Sequence, residues 1–272
     1  MPPVELTVSA ILFDSDGTLV DSTPAVRATI SRWCAAQGVN PREFAAAQHG
    51  TRAKDLLRRF AANELDEAVE ELEREVGRTA SEMAREGKGG IVMLPGHRDL
   101  RWVARSSIDY VASRQASLTS SHAATRTHAC AALDAAGIDS TPPNVPVLVT
   151  GELVAHGKPH SEPYLAGLAR AAGLEAKDVL VVEDAPAGLQ SGASAGCRIL
   201  AVCTGPVPAN EVAQAVAEIP GAVVVRDLAR GAHFRIQHSE LGRPRLTRRR
   251  PHRSVELLLC SPHSITLRIH PL

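Results

Sequence analysis

Ile11-Leu12-Phe13-Asp14-Ser15-Asp16-Gly17-Thr18-Leu19-Val20-Asp21-Ser22 joins an apolar run to two aspartates one residue apart, and then to Gly-Thr. Residues 8–13 have the composition of a buried strand, which puts Asp14 at its carboxyl end. The chain then turns, and Asp16 comes round from the loop to face the same point. Open α/β sheets take their ligands at the carboxyl ends of their strands. Two carboxylates there suit a hard cation such as Mg²⁺. Such a pair can also divide nucleophilic attack and proton transfer between its members.

Three further segments carry chemistry. Leu118-Thr119-Ser120-Ser121 is a hydroxyl cluster behind a polar stretch, residues 98–117, that is poorly suited to a buried parallel strand. Gly157-Lys158-Pro159-His160-Ser161-Glu162-Pro163-Tyr164 places a lysine on a loop, because a proline disfavours the helical conformation in the residue before it. Val179-Leu180-Val181-Val182-Glu183-Asp184-Ala185-Pro186-Ala187-Gly188 delivers two adjacent acids to the end of an apolar strand. Acids placed there need a cation or hydrogen-bond donors, since burying bare charge is costly.

Between the first two segments the chain is helix-like. Helices are expected over residues 25–37 (ended by Gly38), 41–48, 51–62 and 65–85. The last is acid-rich, with Leu65, Ala68, Val69, Leu72 and Val76 on one face. Lys88-Gly89-Gly90 breaks this pattern. From residue 145 onward strands alternate with helices: strands at 147–150, 179–182, 199–202 and 222–225, helices at 161–173, 187–196 and 211–217. That alternation predicts a parallel sheet covered on both faces. The expected fold class is α/β, a three-layer sandwich with a parallel Rossmann-like sheet. An all-helical cap is inserted after the first strand. Residues 1–20 and 91–230 form the core, 21–90 the cap, and 231–272 a basic tail that is disordered or loosely packed.

Taken together, the four segments and the helical insertion resemble the haloacid dehalogenase (HAD) superfamily, over roughly residues 8 to 205. The position of the insertion resembles the helical-cap subgroup that contains β-phosphoglucomutase and many sugar or polyol phosphatases. Ser22-Thr23-Pro24, His49-Gly50-Thr51-Arg52, Gly90-Ile91-Val92 and Glu183-Asp184-Ala185-Pro186-Ala187-Gly188 are similar to the phosphatases for 2-deoxyglucose 6-phosphate and glycerol 3-phosphate. The resemblance implies Asp14 as nucleophile, Asp16 as general acid and base, and Thr119 and Lys158 as further catalytic groups around the phosphoryl group. It implies Mg²⁺ as cofactor, with Asp14, Asp16 (through its backbone carbonyl), Glu183 and Asp184 at the metal. Ser120, and His49, Gly50 and Arg52 from a cap loop, are the expected substrate contacts. The implied activity is Mg²⁺-dependent hydrolysis of a small sugar or polyol phosphate through an aspartyl-phosphate. Two alternatives use the same residues: a β-phosphoglucomutase-like phosphomutase and a non-catalytic relative that binds a phosphate ligand. A dehalogenase has no use for an acid at Asp16. A phosphonate hydrolase needs a Schiff-base lysine that neither Lys54 nor Lys88 supplies convincingly.

Composition bounds the rest. The 272 residues are 44% hydrophobic and 22% charged with a formal net charge of zero, which fits a globular protein with a real core. No apolar run reaches the length of a membrane span, and the N-terminus lacks a basic region followed by an apolar stretch. Cys34, Cys130, Cys197, Cys203 and Cys260 are odd in number and unpaired in spacing, so they read as reduced thiols filling the core of a cytoplasmic protein. Trp33 and Trp102 read as packing residues. From Gly231 onward eight Arg stand against two Glu, a local charge of +6. These arginines are interleaved with Pro and His. No nucleic acid or membrane partner is expected, and the protein is expected to act as a monomer on a small-molecule substrate.

Overall fold

The computed structural model describes residues 2–48, 59–60, 65–96, 116–119, 126–138, 148–170, 174–237 and 264–272. Six parallel strands form its centre: β2 (Ala10–Phe13), β5 (Ala116–Thr119), β6 (Leu148–Val149), β7 (Val179–Glu183), β8 (Arg198–Val202) and β9 (Val223–Val225). Their order across the sheet is β6-β5-β2-β7-β8-β9. The strand carrying the first aspartates is thus flanked by both other motif-bearing strands.

Strand period sorts the core into two layers. Ile11, Phe13, Leu180, Val182, Leu200 and Val202 share one cluster, while Ala10, Leu12, Val179, Val181, Ile199 and Ala201 share the other. The first face is covered by α4 (Arg126–Ala135) through Ala129, Ala132 and Leu133, and by Val76 and Ala80 of the long helix described below. Against the second lie Tyr164 of α5 (Glu162–Arg170), Leu189 of α6 (Pro186–Ser194), and Val212 and Val216 of α7 (Ala209–Ala217). The result is a three-layer α/β sandwich. No helix among the described residues is long and apolar enough to cross a membrane.

Beyond Asp14 the chain leaves the sheet at β3 (Val20–Asp21) and returns at β4 (Val92–Met93), and these two short strands pair antiparallel. Between them lie α1 (Thr23–Gln37), α2 (Pro41–Gln48) and α3 (Leu65–Arg85). Gly38 ends α1 in the left-handed conformation at φ 67°, which glycine adopts without steric cost. A small core of Ile30, Cys34 and Phe44, with Trp33, Phe60 and Leu72 against it, joins the helices. Trp33 stacks at a tilt on Phe44 with ring centroids 5.2 Å apart, as its packing role predicts. Most of the 51–62 segment, and Trp102, lie outside the described residues.

Two expectations need correction. The strand expected over 8–13 is broken at Ser9. Ala10–Phe13 joins the parallel sheet, whereas Val8 ends β1 (Val4–Val8), which belongs to another sheet. At the break, the Ser9 N–H donates to the Asp178 carbonyl at 2.7 Å. The second correction concerns the tail, whose two ends are not loose. Continuing from α8 (Leu228–Gly231), β10 (Ala232–Gln237) pairs antiparallel with β11 (Ser264–Ile269), and β11 pairs antiparallel with β1. Leu267 and Ile269 are wholly buried in the main core while Arg268 between them is exposed, the alternation of a strand with one face inward.

Candidate active site

Register brings the motifs to one point. Phe13 pairs with Leu118 on one side and Val182 on the other, so the next residues, Asp14, Thr119 and Glu183, sit level at the carboxyl edge of the sheet. The Asp14 N–H continues the ladder, donating to the Val182 carbonyl at 2.9 Å. After Asp14 the chain curls tightly: the Ser15 carbonyl accepts from the N–H groups of Thr18, Leu19 and Val20. Gly17 is needed in this curl for two reasons. Its φ is +86°, and a Cβ there would collide with the Asp184 carboxylate. The Thr204 hydroxyl donates to the Gly17 carbonyl at 2.6 Å, pinning the turn to the loop after β8.

Asp14 is completely buried. Lys158 Nζ donates to Asp14 Oδ1 at 2.8 Å and also to Glu183 Oε1. Glu183 is held on every side: Tyr164 Oη donates to Oε1 at 3.0 Å, and the N–H groups of Asp184 and Ala185 donate to Oε2 at 2.9 and 3.0 Å. Tyr164 lies within the Gly-Lys-Pro segment, so one stretch supplies both the ammonium and a support for its counter-ion. Ser191, buried on α6, donates its hydroxyl to the His160 carbonyl at 2.5 Å and fixes the loop from behind.

Asp16 is reached by one side chain of note: the Ser22 hydroxyl donates to Asp16 Oδ1 at 2.5 Å. Asp184 is buried, and its Oδ1 has no hydrogen-bond partner among the described residues. A Cβ on Gly205 would also strike its carboxylate, so two glycines shape the space around this side chain.

The electrostatics follow from crowding. Burial, then the charges of Glu183 and Asp14, push the Asp184 carboxyl well above its ordinary range. Burial and then Asp14 likewise raise Glu183, with Lys158 opposing them. For Lys158, burial pulls the ammonium down, but the charges of Asp14 and Glu183 outweigh it and hold the group above its usual value. One ammonium cannot balance this many buried carboxylates. Ligand oxygens of Asp14, Glu183 and Asp184 lie within 4.8 Å of one another. An all-oxygen set with an unsatisfied buried carboxylate oxygen fits Mg²⁺.

Of the residues expected here, Asp14, Lys158, Glu183 and Asp184 converge, with Asp16 on the adjoining turn. Thr119 ends β5 at the right level. Ser120, His49, Gly50 and Arg52 lie outside the described residues. Ser22, Thr204, Gly205 and Ser191 were not anticipated as site residues. Cys197 is not at the site, and burial pushes its thiol up to about 12, as befits a core residue.

A family model described as haloacid dehalogenase-like hydrolase matches residues 8–196. The chain is 38% identical over 195 residues to hexitol phosphatase A of Escherichia coli (strain K12), covering 70% of this chain and 81% of that protein. It is 30% identical over 218 residues to glycerol-1-phosphate phosphohydrolase 1 of Saccharomyces cerevisiae, covering 74% of this chain and 77% of that one. Among solved structures, a hydrolase from Pseudomonas syringae shares the fold with a TM-score of 0.59 at 20% identity, over 81% of this chain and 94% of its own.

Proposed function

Since the chain belongs to the haloacid dehalogenase-like hydrolases, we propose that it is a phosphatase that hydrolyses a small sugar or polyol phosphate through a phosphorylated Asp14. The observation that carries the proposal is Asp14 itself: a buried carboxylate at a strand end, gripped by Lys158, beside an under-satisfied Asp184. The substrate class follows the relatives, whose names refer to hexitol, glycerol 1-phosphate and 2-deoxyglucose 6-phosphate.

Asp14 attacks phosphorus in line. Lys158 holds that carboxylate in place through its hydrogen bond, and its charge offsets the negative charge that builds on the phosphoryl oxygens. Asp16 gives its proton to the departing alkoxide, then takes one from the water that cleaves the aspartyl-phosphate. Ser22 orients Asp16 for both transfers. Asp14, Asp184 and the Asp16 carbonyl would hold Mg²⁺, which supplies charge neutralisation at the phosphoryl oxygens. Glu183 fixes Lys158 and the Asp184 loop, and its carboxylate would ligate the ion or orient a water on it. Thr119 and Ser120 donate to the phosphoryl group. His49, Gly50 and Arg52 meet the substrate from the cap.

The test is phosphate release from a panel of hexitol, glycerol and deoxysugar phosphates, with Mg²⁺ and with EDTA. Release is expected only with the metal, and Asp14→Asn abolishes it together with the trapping of labelled phosphate on the protein. Undiminished turnover in Asp14→Asn ends this mechanism. An isomeric sugar phosphate in place of inorganic phosphate would make the enzyme a mutase.

A further inference from the structure

The loop that delivers Lys158 inward carries a different constellation outward. His156 and His160 flank the lysine, and Glu162 follows at the start of α5. The Glu162 carboxylate is fixed by backbone: Ala155 N–H donates to Oε1 at 2.7 Å and His156 N–H to Oε2 at 2.9 Å. His156 Nδ1 lies 3.0 Å from the same Oε2, and His160 Nδ1 lies 3.9 Å from it. The two imidazole rings face each other at a tilt with centroids 4.7 Å apart. One ligand atom from each of the three side chains falls within 4.8 Å of the others. Both histidines are exposed, with side-chain accessibilities of 66% and 54%, so an ion reaches them without displacing the core.

We propose that His156, His160 and Glu162 form a second metal site, selective for borderline divalent cations such as Zn²⁺, Ni²⁺ or Co²⁺, on the solvent side of the Lys158 loop. Donor chemistry separates it from the catalytic acids. Imidazole with one carboxylate suits zinc, nickel, copper or cobalt, whereas an all-oxygen set suits Mg²⁺. Two histidines and a glutamate leave a tetrahedral ion one open position for water or a further ligand. On binding, the ion takes the place between His156 Nδ1 and Glu162 Oε2, and any proton held there moves to Nε2 or to solvent, while His160, whose Nδ1 accepts from the Glu162 N–H at 3.2 Å, either gives up that bond or coordinates through Nε2. The ion would tie residues 156–162 into a closed ring around the segment that holds Lys158. Ser191 already anchors that segment from the opposite side, at the His160 carbonyl.

The experiment uses tag-free protein in excess Mg²⁺, which occupies the oxygen site. Zn²⁺ is titrated calorimetrically, and Co²⁺ is added as an optical probe of imidazole coordination. The wild type is expected to take up one equivalent of Zn²⁺ and to give visible Co²⁺ bands. His156→Gln and His160→Gln each weaken Zn²⁺ at least about tenfold, the scale on which losing even a supporting partner weakens a metal site, and the double variant loses the Co²⁺ bands. Circular dichroism confirms that these exposed substitutions leave the fold unchanged. Asp184→Asn is expected to keep the Zn²⁺ equivalent. Zinc uptake that survives the double histidine variant but disappears in Asp184→Asn would assign the ion to the catalytic acids and overturn the proposal. A wild type that binds no Zn²⁺ overturns it too. Neither outcome depends on whether the enzyme's substrate has been found.

Discussion

The hydroxyl of Ser22 turns toward Asp16 and away from the helix it precedes. Ser22 occupies the N-cap of α1, yet its side chain makes no capping hydrogen bond. In the sequence it reads as a helix start, and that much is right. What a linear reading does not reveal is that its hydroxyl serves the second aspartate instead. Ser22→Ala is therefore expected to lower kcat for an alkyl phosphate by about tenfold, part of the roughly 10²–10⁴-fold worth of a general acid. An aryl phosphate, whose leaving group needs the proton less, loses less. A drop in stability of about 1 kcal/mol, the size of a lost cap, with kcat unchanged would reverse that assignment. Asp184 gives a second prediction. Its carboxyl is raised in the folded protein, so without metal its favourable contribution is fully present below the unfolded aspartate value of about 3.9 and is lost as pH rises through the folded value. In EDTA near pH 8, Asp184→Asn is expected to melt about 2–4 °C higher than the wild type, the shift that corresponds to about 1 kcal/mol. Mg²⁺ then stabilises the wild type alone, and more strongly at high pH than at low. Equal Mg²⁺ shifts in both proteins would remove Asp184 from the metal. The motif acids and Lys158 were legible because each ends or follows a local pattern. Thr204 and Gly205 were not, because nothing near them in the chain mentions Gly17 or Asp184.

Elements with strong local contrast were read from sequence nearly to the residue. Residues 41–48 and 65–85 are the helices Pro41–Gln48 and Leu65–Arg85. The four valines and leucines before Glu183 are a strand buried along its whole length. Arg126–Ala135 escaped notice, since its buried face is mostly alanine and contrasts weakly with the rest. Residues 98–117 look too polar for a parallel core strand, yet Ala116–Thr119, which begins within them, pairs with Ala10–Phe13 and Leu148–Val149. Within the helical insertion, a buried polar contact joins α1 to α3: Thr29 Oγ1–H donates to Thr79 Oγ1 at 2.9 Å. Thr29→Val alone leaves the partner unsatisfied and is expected to cost about 1–3 kcal/mol, whereas replacing both threonines by valine is close to neutral. A double-mutant cycle by denaturant unfolding measures this, and purely additive losses would show that the pair is not coupled.

At the scale of the whole molecule, the two ends of the basic tail pair with each other and with the first strand, and the second of these pairings spans nearly the whole chain. A window on residues 264–269 shows a short alternating segment, and its two partners, residues 232–237 and 4–8, lie outside that window, the second at the far end of the chain. The strand registers Val4 with Ile269 and Leu6 with Leu267, and the His270 and Leu272 N–H groups donate to the carbonyls of Gly231 and Val224. Truncation after Arg230 removes two wholly buried side chains, each worth about 1.5–3 kcal/mol. A fall in Tm of at least about 6 °C is expected, at about 2–4 °C per kcal/mol. An unchanged midpoint would mean that β10 and β11 add nothing to the fold. The same pairing bears on biosynthesis. A ribosome delivers Val4–Val8 long before Ser264–Ile269 exists, and at about 5–20 residues per second the delay is roughly 13–50 s. Throughout that interval the first strand is an unmatched edge, open to pairing with other nascent chains. Its alternation, with Glu5 and Thr7 exposed and Leu6 and Val8 buried, leaves one face polar while it waits. On crowded polysomes, that waiting edge is where this architecture meets the hazard of strand-to-strand association.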